Sequence, residues 1–353
     1  MASISEFWLT LCFLVAGISV FATPSLQDCK AQYGNLSYSP TRDWSDETIP
    51  PLLLSYPGSG NTYLRAVIEY ATSLYSGSIY LKDRELMRTF PGEEYCSRSL
   101  SIIKGHPTDL MLIQELDSQN KVMTSRKGDK RVRLRLSNRQ QRSKCLKGNV
   151  KYWTRVVLLV RDPYSSILSD AQRFMTNSHV GTVKGFNVTL KRFGGRRLFD
   201  VWVDRSFALA KEYSDSFGRL IVPLTNRNAS ATHGVSTLHV ANFNAIIKDK
   251  ASRERALAAL MREVYPRLNV TAHKLACAFV LADSHQGVLR KGVMKLDPVA
   301  MYSEIDPHLP CKLEPFVGPF ARNFSFTASP NHNFPSVEEQ CKRNRTNSFF
   351  SQS

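Results

Sequence analysis

The sequence predicts an α/β domain built on a mostly parallel sheet. Apolar runs of strand length alternate along the chain with segments whose apolar residues recur at helical spacing. The run at 51–56 is apolar almost throughout, as expected of a strand that is covered on both faces, and a small-residue loop and a helical pattern follow it. A chain of 353 residues can bury a sizeable core, and its 42% apolar content is typical of a globular protein.

The individual elements follow in chain order. Residues 155–160 are β-branched and apolar, and residues 198–217 form a long amphipathic pattern. After the strand at 155–160, Asp162 suits the N-cap of a helix, and Pro163 suits the first helical position, where proline is tolerated. The predicted strands are 51–56, 101–104 and 155–160, with weaker candidates at 220–224 and 238–240. The predicted helices are 64–75, one that starts at 163, 198–217, 251–264 and 272–284.

The two ends of the chain differ in composition from its centre. Residues 7–22 are apolar and end in small residues that suit signal peptidase, and the run is short for a membrane span. We therefore favour a cleaved signal peptide at 1–22 over an uncleaved signal-anchor in the membrane, and either would send the rest of the chain into the lumen. We expect a loose stem at 23–50, the α/β domain at 51–310 and an irregular, cysteine-containing tail at 311–353.

Sequons and cysteines indicate the secretory pathway, so we expect the protein in the Golgi lumen or membrane, or secreted. Six sequons lie at Asn35, Asn187, Asn228, Asn269, Asn323 and Asn344. Six cysteines follow the leader, an even number that indicates disulfides, at Cys29, Cys96, Cys145, Cys277, Cys311 and Cys341. A bridge from Cys311 to Cys341 is a hypothesis. No Cys or His cluster has metal-ligand spacing, so the sequence predicts no metal.

The net charge of +17 favours anionic partners such as nucleotides, acidic glycans, nucleic acid or anionic membrane. Residues 121–151 hold twelve Lys or Arg and a single acid, Asp129. This basic insertion is interpreted either as a solvated segment or as a docking strip for an acidic glycan. The luminal location and the lack of interleaved aromatic residues argue against nucleic acid.

Residues 58–62 form a candidate anion-binding loop. Glycines let a backbone close around a phosphate, and a helix N-terminus that follows such a loop presents N–H groups to it. The loop Gly58-Ser59-Gly60-Asn61-Thr62 lacks the Gly-Lys-Ser/Thr ending of a Walker motif. The alternative interpretation is a tight turn without a ligand.

Three later segments suit the same kind of ligand. Lys104 and His106 end a strand, where a cation and an imidazole suit group transfer, although a loop histidine is more often structural. Arg161 ends another strand and Ser169 lies two turns into the next helix, a pair that suits a phosphate unless the Arg merely pairs with an acid. Arg290-Lys291-Gly292 would form a phosphate clamp, although Arg126-Lys127-Gly128 has the same pattern.

Together these segments resemble the sulfotransferases that use 3′-phosphoadenosine 5′-phosphosulfate (PAPS). The resemblance is closest to the branch associated with WSC domains, whose loop Ser-Gly-Asn-Thr-Trp-Leu-Arg is similar to residues 59–65, and whose following Ser/Gly-rich helix end is similar to residues 75–78. It implies a P-loop-like three-layer fold, His106 as general base, Lys104 as charge stabiliser and no metal. The residues it implies for PAPS binding are Gly58, Ser59, Gly60, Asn61, Thr62, Tyr63, Arg161, Ser169, Arg290, Lys291 and Gly292.

Within this resemblance, Tyr63 replaces the Trp that lies under the adenine, and Gly58 stands where the family usually has Lys or Arg. The resemblance implies sulfuryl transfer from PAPS to a hydroxyl or amine of a carbohydrate or glycoprotein. Two alternatives stay open. One is a sulfotransferase-like binder of acidic glycans with little turnover, which Gly58 and the basic insertion favour, and the other is a nucleotide kinase. The missing Walker lysine argues against the kinase.

Overall fold

The computed structural model describes residues 24–37, 50–79, 84–93, 99–108, 154–176, 198–226, 235–285, 302–303, 306, 308–326 and 341. Within them, the strands are β1 (Leu52–Ser55), β2 (Gly77–Ser78), β3 (Ile103–Gly105), β4 (Arg155–Val160) and β5 (Thr237–Asn242). The helices are α1 (Leu26–Tyr33), α2 (Asn61–Thr72), α3 (Arg84–Thr89), α4 (Pro163–Thr176), α5 (Leu198–Ser216), α6 (Val222–Thr225), α7 (Phe243–Lys248), α8 (Lys250–Val264), α9 (Ala272–Ser284) and α10 (Leu309–Asn323), with a π-helical segment at Phe217–Ile221.

The strands form one parallel sheet in the order β2-β3-β1-β4-β5, which confirms the predicted fold class. The central strand is β1, where Leu54 aligns with Gly105 of β3 and with Leu158 of β4. All four residues of β1 are buried, as their apolar sequence predicts. Because the strands are parallel, their carboxyl ends meet at one edge, which we call the carboxyl edge, and ligands of such sheets bind there.

Helices cover both faces of this sheet and give the three layers. Alternate residues of β1 belong to two separate apolar clusters, because successive side chains of a strand point to opposite faces. One cluster joins Leu54 to α4, α5 and α10, and the other joins Leu53 to α2, α8 and α9. The sheet is therefore buried on both sides, and its edges are where a ligand can reach the backbone.

The strand prediction at 220–224 is wrong, because these residues are helical. A π-helical segment, Phe217–Ile221, continues from α5, and α6 follows it directly. Leu220, Ile221 and Leu224 are buried at helical spacing against the core. Packing against the sheet therefore overrides the β-branched composition of this short segment.

The Ser/Gly-rich segment 75–78 is not a helix end. The helix α2 ends at Thr72, and Ser73 has a left-handed backbone with φ of 60°. Gly77 and Ser78 then form β2, which pairs with β3 at Ile103 and Lys104.

The prediction of an irregular tail is wrong for its first part, which forms α10. Its buried residues Leu309, Leu313, Val317 and Phe320 recur every three or four positions, a pattern that Pro315 and Pro319 interrupt on the exposed side. The helix packs against α4 and α5, so the core continues past the predicted boundary at residue 310. The hypothesis of a Cys311–Cys341 disulfide is confirmed.

The prediction of a loose stem is wrong for Leu26–Tyr33, which forms α1. The hydroxyl of Ser25 caps this helix by accepting from the N–H of Asp28. A second disulfide joins Cys29 to Cys277 of α9, so α1 is fixed to the core. Such bonds fit an extracellular or secretory-pathway location.

The predicted leader and the basic insertion at 121–151 lie outside the described residues. Within the described part, no helix is both long and apolar enough to cross a bilayer.

Candidate active site

The glycine loop lies between β1 and α2 at the carboxyl edge. Gly58 and Gly60 have φ of +78° and +89°, in the left-handed region that glycine adopts without a steric penalty. The N–H of Ser59 donates to the carbonyl of Tyr56 at 3.1 Å, and the carbonyl of Gly60 accepts from the N–H of Tyr63 at 3.1 Å, which starts the helix. The N–H groups before Tyr63 have no helical partner, as in every first helical turn. The loop therefore offers backbone donors to an anion.

The backbone of α4 leaves no room for a side chain at Gly58. A Cβ at this position would lie 2.1 Å from the carbonyl oxygen of Ser166 and 3.0 Å from the backbone nitrogen of Asp170. Glycine is therefore required by packing as well as by its positive φ. The Lys or Arg that PAPS sulfotransferases usually have here does not fit this loop, so any cation at the loop has to come from another element.

Arg161 supplies such a cation. It follows the last residue of β4, the neighbour of β1, and its Nη1 donates to the carbonyl of Gly58 at 2.8 Å. Among the described residues, its buried Nε has no hydrogen-bond partner. Burial lowers the pKa of this guanidinium from its ordinary value, as expected for a cation that is held away from water. The structure thus brings Arg161 to the glycine loop.

The neighbouring Asp162 does not hold Arg161 in an ion pair. Its Oδ2 accepts from the backbone N–H of Ser165 at 2.8 Å and from the Ser165 hydroxyl at 2.6 Å. Asp162 is therefore the N-cap of α4, as predicted. Burial raises the pKa of its carboxyl.

Phe243 is a site residue that the sequence analysis missed. It begins α7, directly after β5, and its ring lies so close to Gly60 that a Cβ at residue 60 would be 2.2 Å from the ring. The Arg161 guanidinium lies over the same ring, 5.2 Å from its centroid. One aromatic ring therefore supports both the loop and the cation. Its position after a strand at the carboxyl edge was the available signal, but the strand at 238–240 was a weak candidate.

His106 lies beside the end of β1. It follows β3, and its Nδ1 contacts the backbone carbonyl of Ser55. A carbonyl only accepts hydrogen bonds, so Nδ1 carries a proton, and in the neutral imidazole the lone pair is then on Nε2. Ser55 itself was not predicted as a site residue; its hydroxyl accepts from the side-chain amide of Asn61 at 3.0 Å.

Lys104 is the cation nearest to His106 in sequence, and it is 5% exposed within β3. It aligns with Leu53 of β1, and the period of two places it on the same sheet face as His106. The structure therefore puts Lys104 deeper in the sheet than His106, two residues back from the carboxyl edge.

The side chains of Asn61, Thr62 and Tyr63 form hydrogen bonds within the protein. Asn61 is 8% exposed and its side-chain amide donates to Ser55, while the Thr62 hydroxyl donates to Oδ1 of Asn61 at 3.3 Å. Tyr63 is 2% exposed, and its hydroxyl donates to Asp283 at 2.8 Å. The ring that was predicted to lie under an adenine is therefore almost fully buried, with its hydroxyl bonded to α9.

The residues predicted to bind a second phosphate lie only partly within the described residues. Ser169 lies on α4 one turn after Ser166, whose hydroxyl is 3.4 Å from the Ser59 hydroxyl of the loop. Arg290, Lys291 and Gly292 lie outside the described residues. Asp283, near the end of α9, contacts Tyr63 in the first turn of α2, so α9 ends close to the loop. Within the described residues, no group of three or more His, Cys, Asp or Glu could hold a metal ion.

Among the relatives that comparisons with known proteins find, three carry one family name. The chain is 37% identical over 84 residues to WSCD family member GA21586 of Drosophila pseudoobscura pseudoobscura, which is 24% of this chain and 26% of the relative. It is 46% identical over 63 residues to WSCD family member CG9164 of Drosophila melanogaster, 17% of this chain and 20% of the relative. It is 42% identical over 55 residues to WSCD family member AAEL009094 of Aedes aegypti, 15% of this chain and 17% of the relative.

These matches are local, since the chain spans about a quarter or less of the length of the curated relatives that it matches. The shared name agrees with the resemblance to the branch associated with WSC domains. None of the three names states an activity. No protein-family model matches the chain. No solved structure matches it either.

Proposed function

We propose that this protein transfers a sulfuryl group from PAPS to a hydroxyl or amine of a carbohydrate or glycoprotein in the secretory pathway, in the Golgi lumen or membrane or after secretion. One observation carries the proposal. Arg161 and His106 follow the two strands that flank β1, and both contact the short segment from Ser55 to Gly58 that leads into the glycine loop. A cation, an imidazole and a row of N–H donors thus surround one point at the carboxyl edge.

The donors at this point suit an anionic ligand with two phosphate ends. Ser59, Gly60, Asn61 and Thr62 would hold the 5′ end, the last three through their backbone N–H groups, because the N–H of Ser59 already donates to Tyr56. We assign the backbone of Asn61 to this role because its side chain is bonded to Ser55. Arg161 and Ser169 would hold the 3′ phosphate with Arg290, Lys291 and Gly292, and the unpartnered Nε of Arg161 suits a further anionic acceptor.

The proposed chemistry is an in-line displacement at sulfur. His106 accepts the proton of the acceptor hydroxyl on Nε2 while that oxygen bonds to sulfur. The bond from sulfur to the phosphate oxygen breaks, and adenosine 3′,5′-bisphosphate leaves. Lys104 neutralises charge on the transferring group, a kind of contact whose removal typically lowers a rate by about 10²–10³. No metal is needed for this step, because cations and N–H groups of the chain stabilise the charge.

A second candidate is a binder of acidic glycans that has little turnover. The packing around Gly58 favours it, because the loop has no space for the cation that the resembling enzymes usually place there. In this case the nucleotide or glycan would bind, and no sulfate would be transferred.

Binding tests the proposed nucleotide site. Titration calorimetry with adenosine 3′,5′-bisphosphate should show an affinity that Arg161→Ala weakens by about 1.5–3 kcal/mol, because charged hydrogen bonds contribute this much. Arg255→Ala is the matched control, since Arg255 is exposed on α8 and donates to the nearby hydroxyl of Ser252. Equal affinity of Arg161→Ala and the control would remove Arg161 from the site, and a preference for ATP would favour the kinase.

Turnover separates the enzyme from the binder. With labelled PAPS and a mixed panel of glycans, the unaltered protein should transfer sulfate, and His106→Ala should lose transfer while it keeps the bisphosphate affinity. Transfer that survives in His106→Ala would exclude His106 as the base. Bisphosphate binding without transfer to any acceptor would favour the binder.

A further inference from the structure

The turn between α8 and α9 carries a groove that the proposed function does not use. The groove has a volume of about 390 Å³ and opens to solvent. Its lining includes the apolar side chains of Met261, Leu268, Val270 and Leu275, and Asn269 also lines it. The groove therefore combines an apolar wall with an amide that can be modified.

Asn269 begins the sequon Asn269-Val270-Thr271. Asn269 and Thr271 are exposed, and the preceding turn is closed by the N–H of Leu268, which donates to the carbonyl of Tyr265 at 2.9 Å. The segment has neither helix nor strand at Asn269, so its backbone is accessible. Sequons in such exposed loops are the ones that glycosylation uses.

The groove lies at the opposite edge of the sheet from the glycine loop. Val264 ends α8, and its carbonyl accepts from Nη1 of Arg155 at 2.8 Å. Arg155 is the first residue of β4, so the α8–α9 turn lies at the amino ends of the strands. A large group attached at Asn269 would leave the carboxyl edge open.

We propose that Asn269 carries an N-linked glycan whose first sugars lie in this groove. The amide nitrogen of Asn269 forms a bond to the anomeric carbon of a lipid-linked oligosaccharide diphosphate, the lipid diphosphate leaves, and the amide loses a proton. The attachment point on the groove identifies the occupant, because the first sugar is tethered beside Leu268 and Val270, which line the groove, are partly exposed and can pack against its apolar face. The inference depends on a secretory location, which the disulfides fit, and not on sulfuryl transfer.

Thr271 allows the glycan to be removed without disturbing the fold. Its hydroxyl accepts from the N–H of Lys274 at 3.2 Å and caps α9. Asp is an equally good N-cap but does not complete a sequon, so Thr271→Asp keeps the cap and removes the site. Thr271→Ser keeps both, and Asn269→Gln removes the site at the asparagine.

The test uses the full chain expressed in animal cells. Glycopeptide mass spectrometry should find a glycan at Asn269 in the unaltered protein and in Thr271→Ser, and none in Asn269→Gln or Thr271→Asp. On the folded protein, peptide N-glycosidase should release this glycan at least tenfold more slowly than after denaturation. An unmodified Asn269 in the secreted protein would overturn the proposal, and release at equal rates would overturn the placement of the sugars in the groove.

Discussion

Gly58 determines the shape of the glycine loop more directly than any polar residue near it. Its φ of +78° is unfavourable for any other residue, and a Cβ at this position would lie only 2.1 Å from the carbonyl oxygen of Ser166. Gly58→Ala should therefore lower the free energy of unfolding by about 2 kcal/mol or more, because a strained backbone and an overpacked contact each cost energy of this order. Urea denaturation measures the change.

Gly218 provides the matched control for this prediction. A Cβ at residue 218 would have no neighbouring heavy atom within 4 Å. Gly218→Ala should keep or slightly raise the stability, because it removes backbone freedom from the unfolded chain. Equal losses in the two variants would contradict the packing described for Gly58. For the same reason, Gly58→Lys should destabilise the protein and not increase transfer.

A buried cluster below the loop should make the stability depend on pH. Nη1 of Arg65 is 2.5 Å from Oε2 of Glu93, and its Nε donates to the Ser76 hydroxyl at 2.9 Å. That hydroxyl and the Ser76 N–H both donate to Oε1 of Glu69, at 2.7 Å and 2.6 Å. One cation thus faces two carboxyl groups out of contact with water, and burial raises the pKa of Glu69 to about 7.

A carboxyl whose pKa is higher in the folded state than its ordinary 4.5 stabilises the fold while it is protonated. This contribution is complete below about pH 4.5 and is lost as the pH rises to about 7. Between pH 5 and pH 8 the free energy of unfolding should fall by about 2–3 kcal/mol through this group. In Glu69→Gln, urea denaturation at the two pH values should show a smaller fall. An identical fall would exclude Glu69 as its source.

At the scale of the elements, the contact between α2 and α9 positions the first turn of α2. The Tyr63 hydroxyl donates to Oδ1 of Asp283, whose Oδ2 accepts from Arg253 at 2.8 Å. Tyr63→Phe should lower the free energy of unfolding by about 1 kcal/mol, the typical net value of a hydrogen bond. Exchange of the amide hydrogens at residues 63 and 64 should become faster, because the helix start loses an anchor.

Tyr70→Phe is the control on the same helix, where the Tyr70 ring contacts the His285 ring with 6.2 Å between centroids. Its ring contact survives the removal of the hydroxyl, so amide exchange at residues 63 and 64 should stay unchanged. Faster exchange there in Tyr70→Phe as well would show a general loosening of α2, and would contradict a specific role for the bond to Asp283.

The elements that the sequence predicted are those whose own pattern is continuous. β4, α8 and α9 have uninterrupted apolar patterns, and the structure places them within one residue of the prediction. The segment at 220–224 was too short to separate a strand from a buried helix by its pattern. In α10, Pro315 and Pro319 lie on the exposed side and argued against a helix in the sequence. The apolar residues of the opposite side pack against α5, a contact that only the structure shows.

The same limit applies to the site. The glycine loop, Arg161 and His106 follow apolar strands, so their convergence at the carboxyl edge could be predicted. The position of Phe243 beside the loop depends on the pairing of β5 with β4. The sequence of neither strand alone predicts which distant strand it will pair with. The packing of α4 on Gly58 is likewise a contact between separate elements.

At the scale of the whole molecule, the two disulfides close loops of very different length. The bond from Cys29 to Cys277 spans 248 residues, and the bond from Cys311 to Cys341 spans 30. A crosslink reduces the entropy of the unfolded chain, and the reduction grows with the logarithm of the loop length. The longer loop should therefore contribute about 5 kcal/mol in the chain-entropy description and the shorter one about 3–4 kcal/mol.

Paired alanine variants test this order. Alanine suits Cys29 and Cys277, which are 0% exposed, because it leaves no buried polar group. The variant with Cys29→Ala and Cys277→Ala should have a lower free energy of unfolding in urea denaturation than the variant with Cys311→Ala and Cys341→Ala. The reverse order would mean that α1 adds little to the fold, and that α10 depends on its disulfide for its place on the sheet.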